Sequence, residues 1–456
     1  MAILAAIAWL DARIKSQAPL RGYCPSTAEA VLYSADFGTF WGSALDTKPV
    51  QRIRAEWRGA GSGIELHLRK LTGIRPTPAR WRLWMGERFL SAKTPSAFGV
   101  CTYPGLLMRG VSKLHGLVRD PIDASGVRAY GDVYFAWRDG FLIASQDPDY
   151  VRAALESDPV EMKPDASPLA VVFESRVAPI VSLELMASDE FPIRGQIPST
   201  VSARSAPMTL PSAWSTPPIA ACSASAWHDI ASLLTVADEA LAHSAHWNDI
   251  RAAGSELMTT WNLSPPPATW QDERLDHCSL LLTGFDITST VAYPELAFVV
   301  RSTLPAAGAH PLEGVLPAEI EGIPYEWGGY PGMLYPMTGS QWAPCLGHQG
   351  RDWLGTSRER VMRSLVANMD EGPPIDADFT IQVDWEQVAS ALQRILMNVE
   401  DLELFPEMNA DEVRSNLVPI AKSIRHLGRT VILGTHVDGT NTLNGLLARR
   451  LPEPQS

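Results

Sequence analysis

Residues 132–154 read DVYFAWRDGFLIASQDPDYVRAA, and this stretch decides the fold. Hydrophobic residues dominate Val133–Trp137 and Phe141–Ala144. The three residues Arg138–Gly140 between them are typical of a tight turn, so the pattern predicts a β-hairpin.

The hairpin is followed by a helix signal. Asp147 or Asp149 offers an N-cap, and Pro148 suits the first helical turn. After a loop broken by proline, the sequence predicts a strand over Leu169–Phe173 and a helix that begins near Ser175.

The second half of the chain repeats this order about 210 residues later, where Trp342–Leu365 reads WAPCLGHQGRDWLGTSRERVMRSL. A hairpin again leads to a helix, with Thr356 or Ser357 as its cap. A strand over Phe379–Val383 and a helix over Glu386–Leu396 follow.

The similarity extends upstream. Ala30–Arg54 and Ala226–Ile250 both predict an apolar strand or turn that passes into a helix, and Arg82–Thr102 and Leu280–Arg301 both predict strand, turn and strand. Hairpins dominate, strict βαβ alternation is missing, and no GxGxxG motif follows a strand. We therefore predict an α+β protein of two similar lobes, each a mainly antiparallel sheet with helices packed on one face.

The length of 456 residues favours two domains. Six prolines lie among serine and threonine in Phe191–Ala220, a composition that predicts a linker or an extended strap. The predicted organisation is an N-terminal apolar segment (1–20), a first lobe (21–190), the Pro/Ser-rich linker (191–220) and a second lobe (221–456).

The charge of the chain excludes some partners. The net charge is -13, and no basic run is longer than Arg449–Arg450. Nucleic acid and an anionic membrane surface both require clustered positive charge, so neither is expected as a partner. The apolar run Met1–Leu10 is too short to span a bilayer, and any membrane contact would be through this N-terminus as a signal or anchor remnant.

The residues that carry chemistry form no convincing active site. The five cysteines are far apart without a CxxC pair, which predicts buried apolar residues, although one disulfide stays open. His243 and His246 share one face of a predicted helix and are the best metal candidates, but two solvated histidines near a helix end explain them as well. The sequence predicts no catalytic residue, no metal site and no cofactor.

The segment Ile323–Trp342 combines aromatic side chains with glycine and proline, as recognition loops often do. The alternative is that these aromatics serve core packing. The predicted binding residues are Tyr325, Trp327, Tyr330, Tyr335 and Trp342.

Phe141–Leu155 and Trp353–Leu365, each an apolar hairpin strand (FLIAS, WLGTS) before a helix, resemble bacterial envelope proteins of unknown function. Leu210–Leu234 is similar to a proteobacterial family whose members are sometimes encoded beside alpha-2-macroglobulin-like proteins. The resemblance implies a signal or anchor before two α+β lobes, an envelope location and no catalytic residues. The short run at the N-terminus departs from the longer anchor of that family.

These observations together predict a non-catalytic envelope protein that acts by protein binding or as a scaffold, with a protein partner in the cell envelope. A periplasmic or envelope-associated location is expected, and a cytoplasmic one is the alternative. Two other functions stay open, a metal-dependent hydrolase and a protein that binds a small or lipidic ligand in an inter-lobe cleft.

Overall fold

The structure of the chain is a computed structural model. It describes residues 21–57, 85–105, 121–162, 167–176, 181–198, 208–211, 218–224, 275–287, 292–302, 320–336, 343–367, 371–375, 377–398, 410–437 and 440–449, with isolated residues at 77, 81, 108–109, 230, 235, 238, 248, 251–252, 255, 259 and 316. The predicted segments 1–20 and 226–250 fall almost entirely outside these ranges, as do His243, His246 and Trp342.

The chain divides into two compact units, Met1–Ile197 and Pro198–Ser456. The boundary lies inside the predicted linker 191–220. Helices and a large antiparallel sheet occur together, which confirms the mixed α+β class. Among the described residues, no helix has the length and apolar character needed to cross a membrane.

The first unit contains three described helices and eleven strands. The helices are α1 (Phe37–Asp46), α2 (Lys48–Glu56) and α3 (Pro148–Glu156). The strands are β1 (Arg21–Gly22), β2 (Ala30–Ser34), β3 (Phe89–Lys93), β4 (Phe98–Thr102), β5 (Arg128–Tyr130), β6 (Val133–Arg138), β7 (Phe141–Ser145), β8 (Val160–Glu161), β9 (Ala170–Ser175), β10 (Ser182–Met186) and β11 (Pro192–Pro198).

Nine of these strands form one antiparallel sheet in the order β5-β6-β7-β4-β3-β2-β9-β10-β11. Strands β1 and β8 form a separate antiparallel pair. Neighbours in sequence are mostly neighbours in the sheet, as expected of a fold built from hairpins.

The hairpin and helix predicted over 132–154 are confirmed. Asp139 (φ 49°) and Gly140 (φ 84°) form the left-handed two-residue turn that joins β6 and β7. The side chain of Asp147 caps α3 by accepting a hydrogen bond of 2.9 Å from the Asp149 amide. Tyr150 of this helix is buried in the first unit's core, against the sheet.

The second unit contains three described helices and twelve strands. The helices are α4 (Glu359–Val366), α5 (Trp385–Met397) and α6 (Ala410–Ser423). The strands are β12 (Met208–Pro211), β13 (Ala220–Ala224), β14 (Leu275–Ile287), β15 (Ala292–Ser302), β16 (Ile323–Trp327), β17 (Tyr330–Leu334), β18 (Cys345–Gln349), β19 (Asp352–Thr356), β20 (Glu371–Ile375), β21 (Phe379–Asp384), β22 (Arg429–Val437) and β23 (Thr440–Arg449).

Ten strands form the antiparallel sheet of this unit, in the order β16-β17-β18-β19-β15-β14-β13-β21-β22-β23. Strands β12 and β20 form a separate pair. Val361, Met362 and Leu365 of α4 are buried in one core cluster with side chains of the sheet.

Two local predictions are wrong. The helix expected from Ser175 is absent, because β9 instead turns into the antiparallel strand β10. Helix α4 begins after Arg358, and neither Thr356 nor Ser357 caps it, because the Ser357 hydroxyl accepts a hydrogen bond of 3.0 Å from the Leu296 amide. The segment 191–220, predicted as a linker or an extended strap, contains the two strands β11 and β12 among its described residues.

Candidate interaction surface

Most of the predicted aromatic segment forms a hairpin. Strands β16 and β17 pair over five residues, from Ile323↔Leu334 to Trp327↔Tyr330. Gly328 (φ 56°) and Gly329 (φ 87°) form the turn, in which both residues need the left-handed conformation that glycine adopts without strain. The hairpin ends the second unit's sheet, because β16 pairs with β17 alone among the described strands.

Two of the predicted binding residues are buried. Trp327 is 3% exposed and packs in the core cluster that contains Met362 of α4, and Tyr335 is 5% exposed. Tyr330 is half-buried against the same cluster, and burial raises its pKa. Trp327 and Tyr335 therefore support the hairpin from within and are not surface contacts.

Tyr325 is the exposed aromatic residue of the hairpin, at 38%. Its ring lies 4.9 Å from that of Trp327, at a tilt of 34°. Its hydroxyl accepts a hydrogen bond of 3.0 Å from Arg363 Nη2 on α4. Contacts at both ends of the side chain hold it in one orientation, although much of the ring faces solvent.

Helix α4 supplies the support for this tyrosine through an ion pair. Arg363 donates to Glu359 Oε1 from Nε at 3.0 Å and from Nη2 at 2.6 Å. Hydrogen bonds from Arg363 and from Tyr325 lower the pKa of Glu359, and the bond to Glu359 raises the pKa of Arg363. Ile323, which is 50% exposed, lies on the same face of β16 as Tyr325, two residues along the strand.

The outer edge of β16 is poor in hydrogen-bond donors. Trp327 and Tyr330 flank the two-residue turn and form a hydrogen-bonded pair. Hydrogen-bonded and non-hydrogen-bonded pairs then alternate along an antiparallel ladder. The backbone N–H and C=O groups of residues 324 and 326 therefore point away from β17. Residue 324 is proline and has no N–H group to offer an added strand. This edge favours contacts through side chains and disfavours strand addition. The candidate interaction surface is therefore Ile323, Tyr325, Glu359 and Arg363.

A second charged group lies at the start of α4. Asp286 on β14 and Glu295 on β15 are both buried. Arg358 binds Asp286, and Arg360 Nη2 lies 2.5 Å from Glu295 Oε1 and 4.0 Å from Asp286 Oδ1. Two carboxylates and two guanidinium groups balance one another, and they join the β14–β15 hairpin to the helix that supports Tyr325.

A row of buried polar side chains crosses β13 and β14. Ser279 Oγ lies 2.6 Å from His277 Nε2 and 2.7 Å from Ser223 Oγ. A serine–histidine hydrogen bond is one arrangement that activates a serine nucleophile, but all three side chains are at least nine-tenths buried. Sequence analysis missed this row because β14 begins at Leu275, earlier than expected, and brings His277 into the sheet. Side chains alternate between the two faces of a strand, so residues 277 and 279 lie on the same face. This alternation is the sequence signal that could have identified the row.

No disulfide bond joins any of the five cysteines, all of which the structure describes. Burial raises the pKa of Cys101 and of Cys345 to about 12, and that of Cys222 to about 11. These three thiols stay protonated near neutral pH, where a nucleophile needs the thiolate.

Within the described residues, no group of three or more His, Cys, Asp or Glu side chains is arranged to hold a metal ion. Comparisons with protein-family models, with curated proteins and with solved structures returned no match for this chain.

Proposed function

We propose that this chain is a non-catalytic interaction protein that binds another protein through the candidate interaction surface. The observation that carries the proposal is the state of Tyr325, which is exposed yet held by Trp327 and Arg363. An aromatic side chain that is already ordered loses little conformational entropy when a partner covers it.

The composition of the surface supports the same function. Tyrosine and arginine are enriched among the residues that dominate binding energy at protein interfaces. Here Tyr325 and Arg363 contact each other, with exposed Ile323 beside them on the same strand face. The serine–histidine row is too deeply buried to offer a competing catalytic function.

The proposal is tested by in-cell crosslinking and affinity capture of the tagged full chain, followed by mass spectrometry. Tyr325→Ala should reduce recovery of the partner at least about tenfold, as expected for the loss of a hot-spot side chain. Met397→Ala is the matched control, because Met397 is also a large exposed apolar residue but lies on α5. Equal recovery with wild type and Tyr325→Ala would contradict the proposed surface.

We further propose that the protein works in the bacterial cell envelope, facing the periplasm. The support is the resemblance of Phe141–Leu155 and Trp353–Leu365 to envelope proteins. Fractionation of cells that produce the full-length protein should recover it with periplasmic or membrane markers. Recovery with cytoplasmic markers alone would refute this location and leave the binding function to be judged by the capture experiment.

We also infer that the two units are copies of one ancestral unit. The supporting observation is that nine strands of each sheet follow equivalent orders, β5-β6-β7-β4-β3-β2-β9-β10-β11 and β17-β18-β19-β15-β14-β13-β21-β22-β23. In each unit, the helix that follows the hairpin (α3 or α4) has its N-cap two residues after the end of the preceding strand.

The pairing register supports the same inference. Ser145 and Thr356 are the last residues of the strands before these helices. Each has a paired residue on both neighbouring strands, and following these pairs from strand to strand gives a row that crosses all nine strands. The row of the first unit is Ala129, Tyr134, Ser145, Gly99, Ala92, Val31, Glu174, Ser182 and Gln196. The row of the second is Leu334, Cys345, Thr356, Ala297, Leu281, Ala221, Gln382, Val431 and Leu446.

A further inference from the structure

The solvent-facing side of α4 carries two arginine side chains beside Tyr325. Arg360 and Arg363 are three residues apart on this helix, so their side chains are neighbours on its surface. The two side chains are 60% and 63% exposed. Arg363 also contacts Tyr325, so Arg360 extends the candidate interaction surface along the helix.

Each arginine is held by a carboxylate on one edge of its guanidinium group. Arg360 donates from Nε to Glu295 Oε1 at 2.5 Å, and its Nη2 lies 2.5 Å from the same oxygen. Arg363 uses the same two nitrogen atoms to bind Glu359, and its Nη2 also donates to Tyr325. Within the described part of the chain, Nη1 of either arginine donates no hydrogen bond. Both side chains are therefore fixed in place while their Nη1 donors stay available.

The equivalent arginine of the first unit has both ends occupied. Under the inferred duplication, Arg152 of α3 corresponds to Arg363, because the two have the same distance from the helix N-cap. Arg152 donates from Nε to Asp123 at 2.7 Å and from Nη1 to Asp149 at 2.5 Å. Asp149 has the position in α3 that Arg360 has in α4. The first unit thus neutralises its arginine from within the chain, whereas the second leaves Nη1 open and adds another cation.

Apolar side chains lie next to these donors. Tyr325 and Ile323 are 38% and 50% exposed, on the face of β16 that meets α4. The acidic residue of this strand, Glu326, lies on the opposite strand face. The surface therefore combines an apolar area with cationic hydrogen-bond donors, and its acidic member, Glu359, is already bonded to Arg363.

We propose that the candidate interaction surface binds an acidic segment of the partner protein, whose aspartate or glutamate side chains accept hydrogen bonds from Nη1 of Arg360 and Arg363. A neighbouring apolar side chain of the segment packs on Tyr325. The inference rests on the proposed binding function and names the chemistry of the partner.

The energetics of the surface favour such a segment. Hydrogen bonds from a guanidinium group to a carboxylate are among the stronger ones in proteins. Because Glu295 and Glu359 already fix the two arginine side chains, little side-chain entropy is lost when a carboxylate binds. The net charge of -13 does not oppose this contact strongly, since distant exposed charges are screened beyond a Debye length of about 8 Å.

The test uses the full chain and two synthetic peptides that differ only in charge. The acidic peptide is acetyl-Phe-Glu-Asp-Leu-Glu-amide, and the neutral peptide has glutamine and asparagine in place of its acidic residues. We expect calorimetry to give a Kd below about 1 mM for the acidic peptide and binding at least about tenfold weaker for the neutral one. Added salt should weaken binding of the acidic peptide, because it screens exposed charges.

Three glutamine variants locate the binding. Arg360→Gln and Arg363→Gln each remove an Nη1 donor and should weaken binding of the acidic peptide about tenfold, while binding of the neutral peptide changes little. Arg394→Gln is the matched control, because Arg394 is also exposed but lies on α5, and it should keep the preference for the acidic peptide. Far-ultraviolet circular dichroism checks that each variant is folded, and the peptide comparison on wild type needs no variant.

The inference would be overturned by equal binding of the two peptides to wild type, or by no binding of the acidic peptide up to about 1 mM. A charge preference that survives both Arg360→Gln and Arg363→Gln would also overturn it. Equal peptide binding with Tyr325-dependent capture in cells would refute the acidic preference alone. A charge preference that requires Arg363, with capture that does not depend on Tyr325, would support this inference and refute the proposed role of Tyr325.

Discussion

Arg138 at the end of β6 donates hydrogen bonds from Nη1 to the carbonyl oxygens of Leu155, at 2.5 Å, and of Ser157, at 2.6 Å. These carbonyls belong to the last turn of α3 and the residue after it, where backbone acceptors have no partner within the helix. The Arg138 guanidinium also lies 4.4 Å from the centre of the Tyr23 ring. One side chain thus links the hairpin, the helix end and the segment between β1 and β2.

We expect Arg138→Met to lower the free energy of unfolding by about 2 kcal/mol, since it removes charge-assisted hydrogen bonds at a helix end. Arg152→Met is the control on the same unit. Its ion pairs with Asp123 and Asp149 are partly exposed and should contribute less than about 1 kcal/mol. Urea unfolding followed by tryptophan fluorescence measures both variants, and equal losses would contradict the capping role.

Gly99 lies beneath the ring of Tyr150, where an added Cβ would approach ring carbon Cε1 to 2.2 Å. Gly99→Ala should therefore destabilise the protein by about 1–3 kcal/mol through overpacking. Under the inferred duplication, Ala297 corresponds to Gly99 by strand register, and Val361 corresponds to Tyr150 by its distance from the helix N-cap. The second unit therefore pairs a larger strand residue with a smaller helix residue.

A double-mutant cycle tests this explanation. In a Tyr150→Val background, the cost of Gly99→Ala should fall below about 1 kcal/mol, because the methyl group then meets open space. The same cost in both backgrounds would mean that backbone conformation, and not the tyrosine ring, requires glycine at this position.

The buried charges at the start of α4 predict a strong asymmetry between single and double variants. Arg358→Met leaves the carboxylate of Asp286 buried without its nearest cation, and the expected loss is about 3–5 kcal/mol. The double variant Asp286→Leu/Arg358→Met removes both charges and should recover at least about half of that loss. Thermal unfolding compares them, and a double variant that is no more stable than the single one would contradict the pairing.

Alkaline pH should destabilise the first unit through Cys101. Burial raises the pKa of this thiol to about 12 in the folded state, above its unfolded value near 9. The folded state therefore retains a proton that the unfolded state releases. The contribution of the protonated Cys101 thiol to the free energy of unfolding is fully present below about pH 9. This contribution falls by about 1.4 kcal/mol per pH unit as the pH rises toward 12.

Unfolding of wild type and Cys101→Ala at about pH 8 and about pH 10.5 measures this effect. The variant should lose about 2 kcal/mol less than wild type over that interval, whatever its stability at pH 8. Equal losses would place the alkaline sensitivity in other groups.

The local parts of the fold were the most predictable from sequence. The β6–β7 hairpin and α3 follow from Asp139–Gly140 at the turn and Asp147 at the cap, which act within a few residues of themselves. Helix α4 has no such cap, because Arg358 is at its N-cap and a guanidinium group cannot accept from backbone N–H groups. Arg358 instead binds Asp286, which is distant in sequence. No local pattern reveals that interaction.

The candidate surface was predictable only in part, for a related reason. Composition identified the aromatic residues near Tyr325, but it did not separate those that face α4 from those that face solvent. Trp327 and Tyr325 lie on the same face of β16, and only the packing of α4 makes one buried and the other exposed. His277 became part of the sheet because β14 is longer than its apolar core suggested.

In the first unit a large helix residue, Tyr150, lies over Gly99. In the second unit a smaller helix residue, Val361, is combined with Ala297. This difference in side-chain size has a consequence for folding during biosynthesis. Domains that share a chain are prone to misassembly, in which an element of one domain docks onto the other. Here α3 placed on the second sheet would drive its tyrosine into the Ala297 methyl group, and α4 placed on the first would leave a void above Gly99. Each helix is matched in size to its own sheet, and we expect this match to disfavour an exchange of α3 and α4 between the units.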